Sequence, residues 1–367
     1  MPDYLVRNLD HYSPASAAHI EHPSHAGQGI HAFPDRLHVL TVVSNPLRWR
    51  SRYENYWKFE AHVASSPAVL YTAEIVQGDR MFEVTTPDNP RNLQLRTWDE
   101  LWHKENALNL LLARVPMGAQ YIAMVDADLI FTRPDWAQET LHLLQHYQII
   151  QMFSHLIDIN QDGQPVNQSP AVSMVYQRTQ DIIPRLEGAQ KKKSLVADAY
   201  DYLHAMWTGE RQKPGTAKRP WGCPGGAWAY RKDALNQLGG LMDFSIIGSA
   251  DWYMAKALFG EVEEILDPRW HNNYKMLCRE WQNNAAALQK DIGYMKGTVL
   301  HLWHGAKSDR GYGVRVKQMA DTHFDPLHDI RRDWQGLYQL TGSNTDLRDW
   351  IRERARMRNE DADQVVQ

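Results

Sequence analysis

The chain has 367 residues, 43% of them hydrophobic and 23% charged, with a formal net charge of −4; this describes a globular protein able to bury a sizeable core and excludes one that is basic all over, while leaving room for a local basic channel. Two cysteines, Cys223 and Cys278, are too few for a disulfide framework or a cysteine zinc site. No apolar run approaches the roughly 18 residues needed to cross a bilayer.

In chain order, Met1-Pro-Asp-Tyr-Leu-Val-Arg7 lacks the basic-then-apolar pattern of a secretion signal, so a cytoplasmic location and no membrane partner are expected. Residues 1–36 read as a loosely ordered arm, in which His11, His19, His22, His25 and His31 are spaced too irregularly to argue for a metal tract. Leu37 to Val43 reads as the first buried strand, stopped by Ser44-Asn-Pro. The helical spacing of Tyr53, Tyr56 and Trp57 follows it. Arg48 and Arg52 could grip a nucleotide diphosphate there, or line a solvated helix face. Ala68 to Val76 is a second strand, expected to pair hairpin-fashion with Met81 to Val84, and Leu101 to Leu112 is a helix whose Lys104 and Asn106 could face a ligand.

The stretch Tyr121 to Phe131 opens as a strand buried on both faces and places Asp126 and Asp128 where that strand should end. Ligands of open α/β sheets bind beyond the carboxyl ends of the strands. Two acids one residue apart are costly there without a cation, so a divalent metal carrying a diphosphate stands against an Asp-rich turn. The alternation of strand and helix argues for an α/β sheet. Residues 148–220 read as an insertion on the acceptor side. Within it, Asp158 to Gly163 matches half of a calcium loop, but the twelfth position is Ser169, so a hairpin turn at Asp162-Gly163 is expected instead. Lys191 to Lys193, Arg211, Lys213, Lys218 and Arg219 form either solvated surface or a contact for an anionic acceptor.

Farther on, Gly225-Gly226 before Ala-Trp-Ala-Tyr lets backbone approach a ligand closely as a strand begins. Asp251 sits near a helix N-terminus, as a functional or a capping acid. His301 and His304, three apart at a strand end and followed by Gly305, could share one metal or be two structural histidines. Residues 311–367 read as a charged C-terminal helical extension.

Taken in order, these blocks resemble the GT-A glycosyltransferases over roughly residues 37 to 310, and in pattern the β-1,4-galactosyltransferase-like enzymes. Val125-Asp-Ala-Asp128 looks like the family's Asp-x-Asp motif. The resemblance implies a GT-A (Rossmann-like) central mixed, mostly parallel sheet flanked by helices. It also implies metal-dependent, inverting transfer of a sugar from a nucleotide-sugar, with a UDP-sugar favoured, to an acceptor hydroxyl. Asp128, His304 and His301 would hold Mn²⁺ or Mg²⁺. Arg48, Arg52, Lys104, Asp126, Gly225 and Gly226 would meet the nucleotide-sugar, and Asp251 would be the base. Gly248-Ser-Ala-Asp251 offers one acid where the family usually has several.

The block from His301 through Arg310, Tyr312 and Arg315 resembles glycosyltransferase-like proteins encoded by bacteriophages. That implies a host-cytoplasmic enzyme acting on a 5-hydroxymethylpyrimidine in DNA, with Trp228, Trp252, Lys307 and Arg310 as acceptor contacts. The negative net charge weighs against DNA, and synthesis of a bacterial surface saccharide is the alternative. A sugar-phosphate nucleotidyltransferase would want glycines straight after the first strand, which Ser44-Asn-Pro-Leu-Arg-Trp lacks. A non-catalytic nucleotide-sugar-binding module is the remaining reading.

Overall fold

Strand β1 (Leu37–Ser44) is apolar on both faces, and helices cover both. Leu40 packs in one cluster with Ala107, Leu108 and Leu111 of helix α2 (Lys104–Leu112), while Val43 packs in another with Tyr56 of α1 (Arg50–Ala64). This two-sided burial is what a strand without polar alternation requires. The computed structural model describes residues 36–187, 222–306 and 312–361. Apart from the end of α4 (Val172–Glu187), the described elements belong to one compact unit made of Asp35–Arg178 and Trp221–Gln367.

The central sheet has seven strands. From one edge these are β10 (Ile292–Tyr294), β6 (Ile149–Gln151), β9 (Ala227–Arg231), β4 (Tyr121–Val125), β1, β2 (Val69–Gln77) and β3 (Asn92–Thr97). Only β9 runs antiparallel to its neighbours, so the sheet is mixed and mostly parallel, as expected. The chain leaves β1 for β2 on one side and later returns to β4 on the other, which makes the carboxyl ends of β1 and β4 a topological switch point. A second sheet, in the order β5 (Leu129–Phe131), β11 (Thr298–His301), β7 (His155–Ile159) and β8 (Pro165–Pro170), stands beyond β4 in the chain and carries the late histidines.

Three expectations need correction or refinement. Met81 to Val84 forms no strand, and β2 pairs instead with β3, in parallel. The cause is Glu74, a carboxylate buried in β2. It accepts the backbone N–H groups of Glu83, Val84 and Thr85 at 2.7, 3.1 and 2.9 Å and the Thr85 hydroxyl at 2.7 Å. Three consecutive amides aimed at one carboxylate cannot also serve a ladder. The stretch expected as an insertion begins with β6, a core strand of the central sheet, and continues into β7 and β8. Its Asp162-Gly163 turn joins those two strands, with Gly163 at φ 75°. The C-terminal extension is helical in α8 (Tyr312–Asp321) and α9 (Thr345–Met357), but a two-stranded hairpin, β12 (Ile330–Arg332) and β13 (Tyr338–Leu340), separates them. The N-terminal arm, apart from Arg36, and the basic stretch from Lys191 to Arg219 lie outside the described residues. No helix among the described residues is long and apolar enough to cross a membrane.

Glu74→Ala should destabilise the protein by about 3 kcal/mol, since each buried donor left unpaired costs roughly 1 kcal/mol or more. Urea unfolding checks this, and a loss below about 1 kcal/mol would mean that the 83–85 loop finds other acceptors.

Candidate active site

Strand pairing assembles the first half of the site. The Asp126 N–H bonds to the Gly226 carbonyl at 2.9 Å, closing the end of β4, and the chain turns so that Asp128 directly precedes β5. Strand β11 lies between β5 and β7, in a register that sets His301 opposite both Leu129 and Asp158. The Leu302 N–H then reaches the Asp128 carbonyl at 2.8 Å. His301 Nδ1 is 2.7 Å from Asp158 Oδ1, and its Nε2 is 3.6 Å from Asp128 Oδ2. His304 brings its own Nε2 to 3.1 Å from Asp128 Oδ2 and 3.1 Å from His301 Nε2.

Two of these separations, at 3.1 Å, match neighbouring ligands on one ion, and the third, at 3.6 Å, is a little wider. Bonds of about 2.1 Å hold neighbouring ligands about 3.0 to 3.4 Å apart. Asp128 Oδ1 is buried with no hydrogen-bond partner, a donor atom still to be satisfied. Among the described residues, Asp128, His301 and His304 are the one group of three or more such side chains with convergent ligand atoms. Asp158 on Nδ1 holds the His301 ring with its Nε2 toward Asp128. Burial alone would raise the Asp128 carboxyl, but the two imidazoles overcome it and hold the group well below the usual carboxylate range.

The second half is organised around a cation in an unusual place. Lys104 opens α2, where its charge opposes the helix dipole. It is ion-paired with Asp126. Burial would favour losing its proton, yet Asp126, Glu105 and Asp251 together keep it above the ordinary lysine value. Burial lifts the Asp126 carboxyl, with Asp128 and Asp251 adding to the effect against Lys104. Glu105 is buried, accepts the Trp102 indole N–H at 3.0 Å, and is pushed up to about 7 by burial, with Asp251 adding and Lys104 opposing.

Asp251 stands in the first turn of α6 (Ala250–Leu258), entered through Gly248 and Ser249, both left-handed at φ 88° and 73°. Its Oδ1 accepts the Trp252 N–H at 2.9 Å. Its Oδ2 occupies the space that a Cβ on Gly225 would need, so the glycine seats this carboxylate. Gly226, at φ 93°, turns the chain past Phe153 into β9.

Arg48 and Arg52 diverge. Arg48 sits in left-handed backbone (φ 60°), with its exposed side chain at a cavity of about 160 Å³ that Asn45, Tyr53, Gln77, Arg80 and Glu83 also line. This cavity lies at the carboxyl ends of β1 and β2. Arg52 is engaged elsewhere: Nε and Nη2 meet the two Glu360 oxygens at 2.5 and 2.6 Å, and Nη1 donates to the Ser44 carbonyl. Trp228 lies in the core with its indole N–H on the Pro224 carbonyl at 2.8 Å, and Trp252 is half-buried against the same core. Lys307 and Arg310 lie outside the described residues.

Sequence reasoning passed over Asp158, Glu105 and Glu360. An acid amid the apolar His155-Leu-Ile-Asp-Ile159 run was a usable signal for the first. Glu105 beside Lys104 was a weak one, and nothing local marks Glu360.

No family model and no curated protein matches the sequence. Among solved structures, the chain is similar to the catalytic domain of Drosophila β1,4-galactosyltransferase 7 in complex with xylobiose, at 11% identity and a TM-score of 0.35, over 86% of this chain and 98% of that one. It is similar to residues 1–349 of S. aureus TarS at 11% identity and a TM-score of 0.33, over 61% of this chain and only 55% of that one. Glucosyl-3-phosphoglycerate synthase from Mycobacterium tuberculosis, in complex with Mn²⁺, UDP-glucose and phosphoglyceric acid, is similar at 10% identity and a TM-score of 0.33, over 83% and 86% of the two chains. Likeness at this level carries no weight for function, which rests on the site's own geometry.

Two outcomes follow from that geometry. Calorimetric titration with Mn²⁺ should show one site per chain, lost in His304→Ala and weakened about 10- to 100-fold in Asp158→Asn. Unchanged affinity in both variants would remove the metal assignment. Glu105 has a folded pKa above its ordinary value, so its ionisation works against the fold as pH rises from about 4.5 to about 7 and changes little above that. Glu105→Gln should therefore be no more stable than wild type in acid and more stable above about pH 7, by at most about 3 kcal/mol, as thermal melts across pH would reveal.

Proposed function

We propose that this chain is a metal-dependent glycosyltransferase of the GT-A type, moving a sugar from a nucleotide-sugar to an acceptor hydroxyl with inversion. The observation that carries the reading is convergence at one sheet edge. Asp128, His301 and His304 offer one ion three ligand atoms. Asp126, Lys104 and Asp251 interact beside them, and the Arg48 cavity opens at the carboxyl ends of the adjoining strands. A divalent ion, Mn²⁺ or Mg²⁺, held by those three residues would neutralise charge developing on a departing diphosphate.

The chain's own residues supply the rest. Lys104, held protonated by its carboxylate neighbours, adds fixed positive charge on the nucleotide side. Arg48 and the polar lining of its cavity suit a base and ribose, and Asp126 would meet the ribose. Asp251 would accept the proton of the acceptor hydroxyl as its oxygen bonds to the anomeric carbon, while the bond from that carbon to the diphosphate oxygen breaks with its electrons leaving on the diphosphate. Gly225 keeps Asp251 in place from behind.

For the acceptor we favour a 5-hydroxymethylpyrimidine in DNA, on the resemblance of the His301 to Arg315 block to phage-encoded proteins. The net charge of −4 favours a second reading, a saccharide acceptor of bacterial surface synthesis. Released nucleotide, assayed over a panel of nucleotide-sugars with Mn²⁺ and with hydroxymethylated DNA, plain DNA or simple saccharides, separates the two. Stimulation by saccharide alone would end the DNA reading. In the same assay Asp251→Asn should lower kcat by about 10²- to 10⁴-fold while leaving Mn²⁺ affinity intact, and near-wild-type transfer would mean the base lies elsewhere.

A further inference from the structure

We propose that Glu360, carried by the C-terminal tail, is a positioning residue for His304: it fixes the tautomer and ring orientation that aim His304 Nε2 at Asp128. The inference rests on reading Asp128, His301 and His304 as a metal site, and it adds a device that no local sequence pattern announces.

Both imidazoles have a carboxylate on the Nδ1 side, at hydrogen-bond distance for His301 and at longer range for His304. His301 has the Asp158 carboxylate on its Nδ1 side, and His304 has Glu360 Oε2 on its Nδ1 side at 3.8 Å. Each Nε2 faces Asp128 Oδ2. At 3.8 Å the second carboxylate is beyond hydrogen-bond distance and acts on its ring by charge. A carboxylate on the far nitrogen of a ligand histidine fixes its tautomer and raises its basicity.

Glu360 is fit for that task because its own position is over-determined. Its side chain is 2% exposed, and Arg52 grips both oxygens while Arg358 Nη2 lies 2.7 Å from Oε1. The next residue, Asp361, accepts the Arg50 and Ser51 N–H groups at 2.8 and 2.9 Å, where the first turn of α1 has amides to spare. On the other side, the turn that follows His304 is shaped to let the tail pass. Gly305 is left-handed at φ 89°, and a Cβ there would come within 2.9 Å of the Asn359 carbonyl oxygen and 3.0 Å of the Glu360 Cα. A segment held at Asp361 and fitted against the Gly305 turn does more than cover a surface. It delivers one carboxylate to one ring nitrogen.

The test reads the ring and the ion separately. Nitrogen-15 spectra of the histidines in metal-free, full-length protein at alkaline pH report the His304 tautomer, and calorimetry reports Mn²⁺ affinity. In Glu360→Ala the His304 ring should shift toward the Nε2–H tautomer and Mn²⁺ affinity should fall about tenfold or more. Glu360→Gln, which keeps an acceptor without the charge, should show both effects to a smaller extent, and it carries the test if the alanine variant does not fold. An unchanged His304 spectrum in a folded variant overturns the proposal, whatever the affinity does. If wild type takes up no Mn²⁺, the metal-site reading fails, and the His304 spectrum still decides whether Glu360 sets its tautomer.

Discussion

Carboxylates crowd the carboxyl edge of the central sheet, and compensating them in a part-dry environment is the constraint from which the site's other features follow. Asp126 and Asp128 leave β4 together, Asp158 comes from the neighbouring sheet, Asp251 from a helix start, and Glu105 and Glu360 are buried close by. An uncompensated buried charge costs several kcal/mol. Four of the six face a basic side chain directly: Asp126 faces Lys104, Asp128 two imidazoles, Asp158 the His301 ring, and Glu360 Arg52 and Arg358. The match explains a lysine at the start of α2, where the dipole disfavours it, and a guanidinium brought beneath a sheet edge. Glu105 is the acid left least compensated, and its carboxyl is raised accordingly.

Two sheets share the work. The large one, with its flanking helices, carries Asp126, Lys104 and Asp251 and the cavity beside Arg48. The small one supplies His301 and the turn to His304, and takes Asp158 from its own third strand. The link between Asp126 and Asp128 is a single residue, Ala127. Whatever is held between the two halves is held across that one joint, with backbone bonds from Asp126 to Gly226 and from Leu302 to Asp128 locking it on both sides.

Much of this was legible in the residues themselves, because the signals were local. Long apolar runs announced β1, β2 and β4, and acids or histidines at the ends of such runs marked Asp126, Asp128, His301 and His304 as candidates, three of which the fold brings together. What escaped was set by distant partners. Met81 to Val84 looks like a strand until the Glu74 carboxylate claims its neighbouring amides. Asp158 was read as part of a turn motif because its partner lies on β11, far along the chain. Arg52 has the look of an anion-binding residue after a first strand, and local pattern cannot tell that its anion is Glu360, 308 residues away. Gly225 read as a gap for ligand, whereas its missing side chain makes room for Asp251.

The pairing of β11 has a consequence for how such a chain can diverge. Side chains alternate along a strand, so a slip of one residue against β5 and β7 would replace His301 by Leu300 at the cluster and carry the imidazole to the opposite face. An inserted or deleted codon inside Thr298–His301 thus removes an imidazole from the cluster, with every chemical group still present in the chain. The same change at the exposed Asp162-Gly163 turn only alters the length of a hairpin tip. Length in this chain is heritable information at one strand and noise at the next.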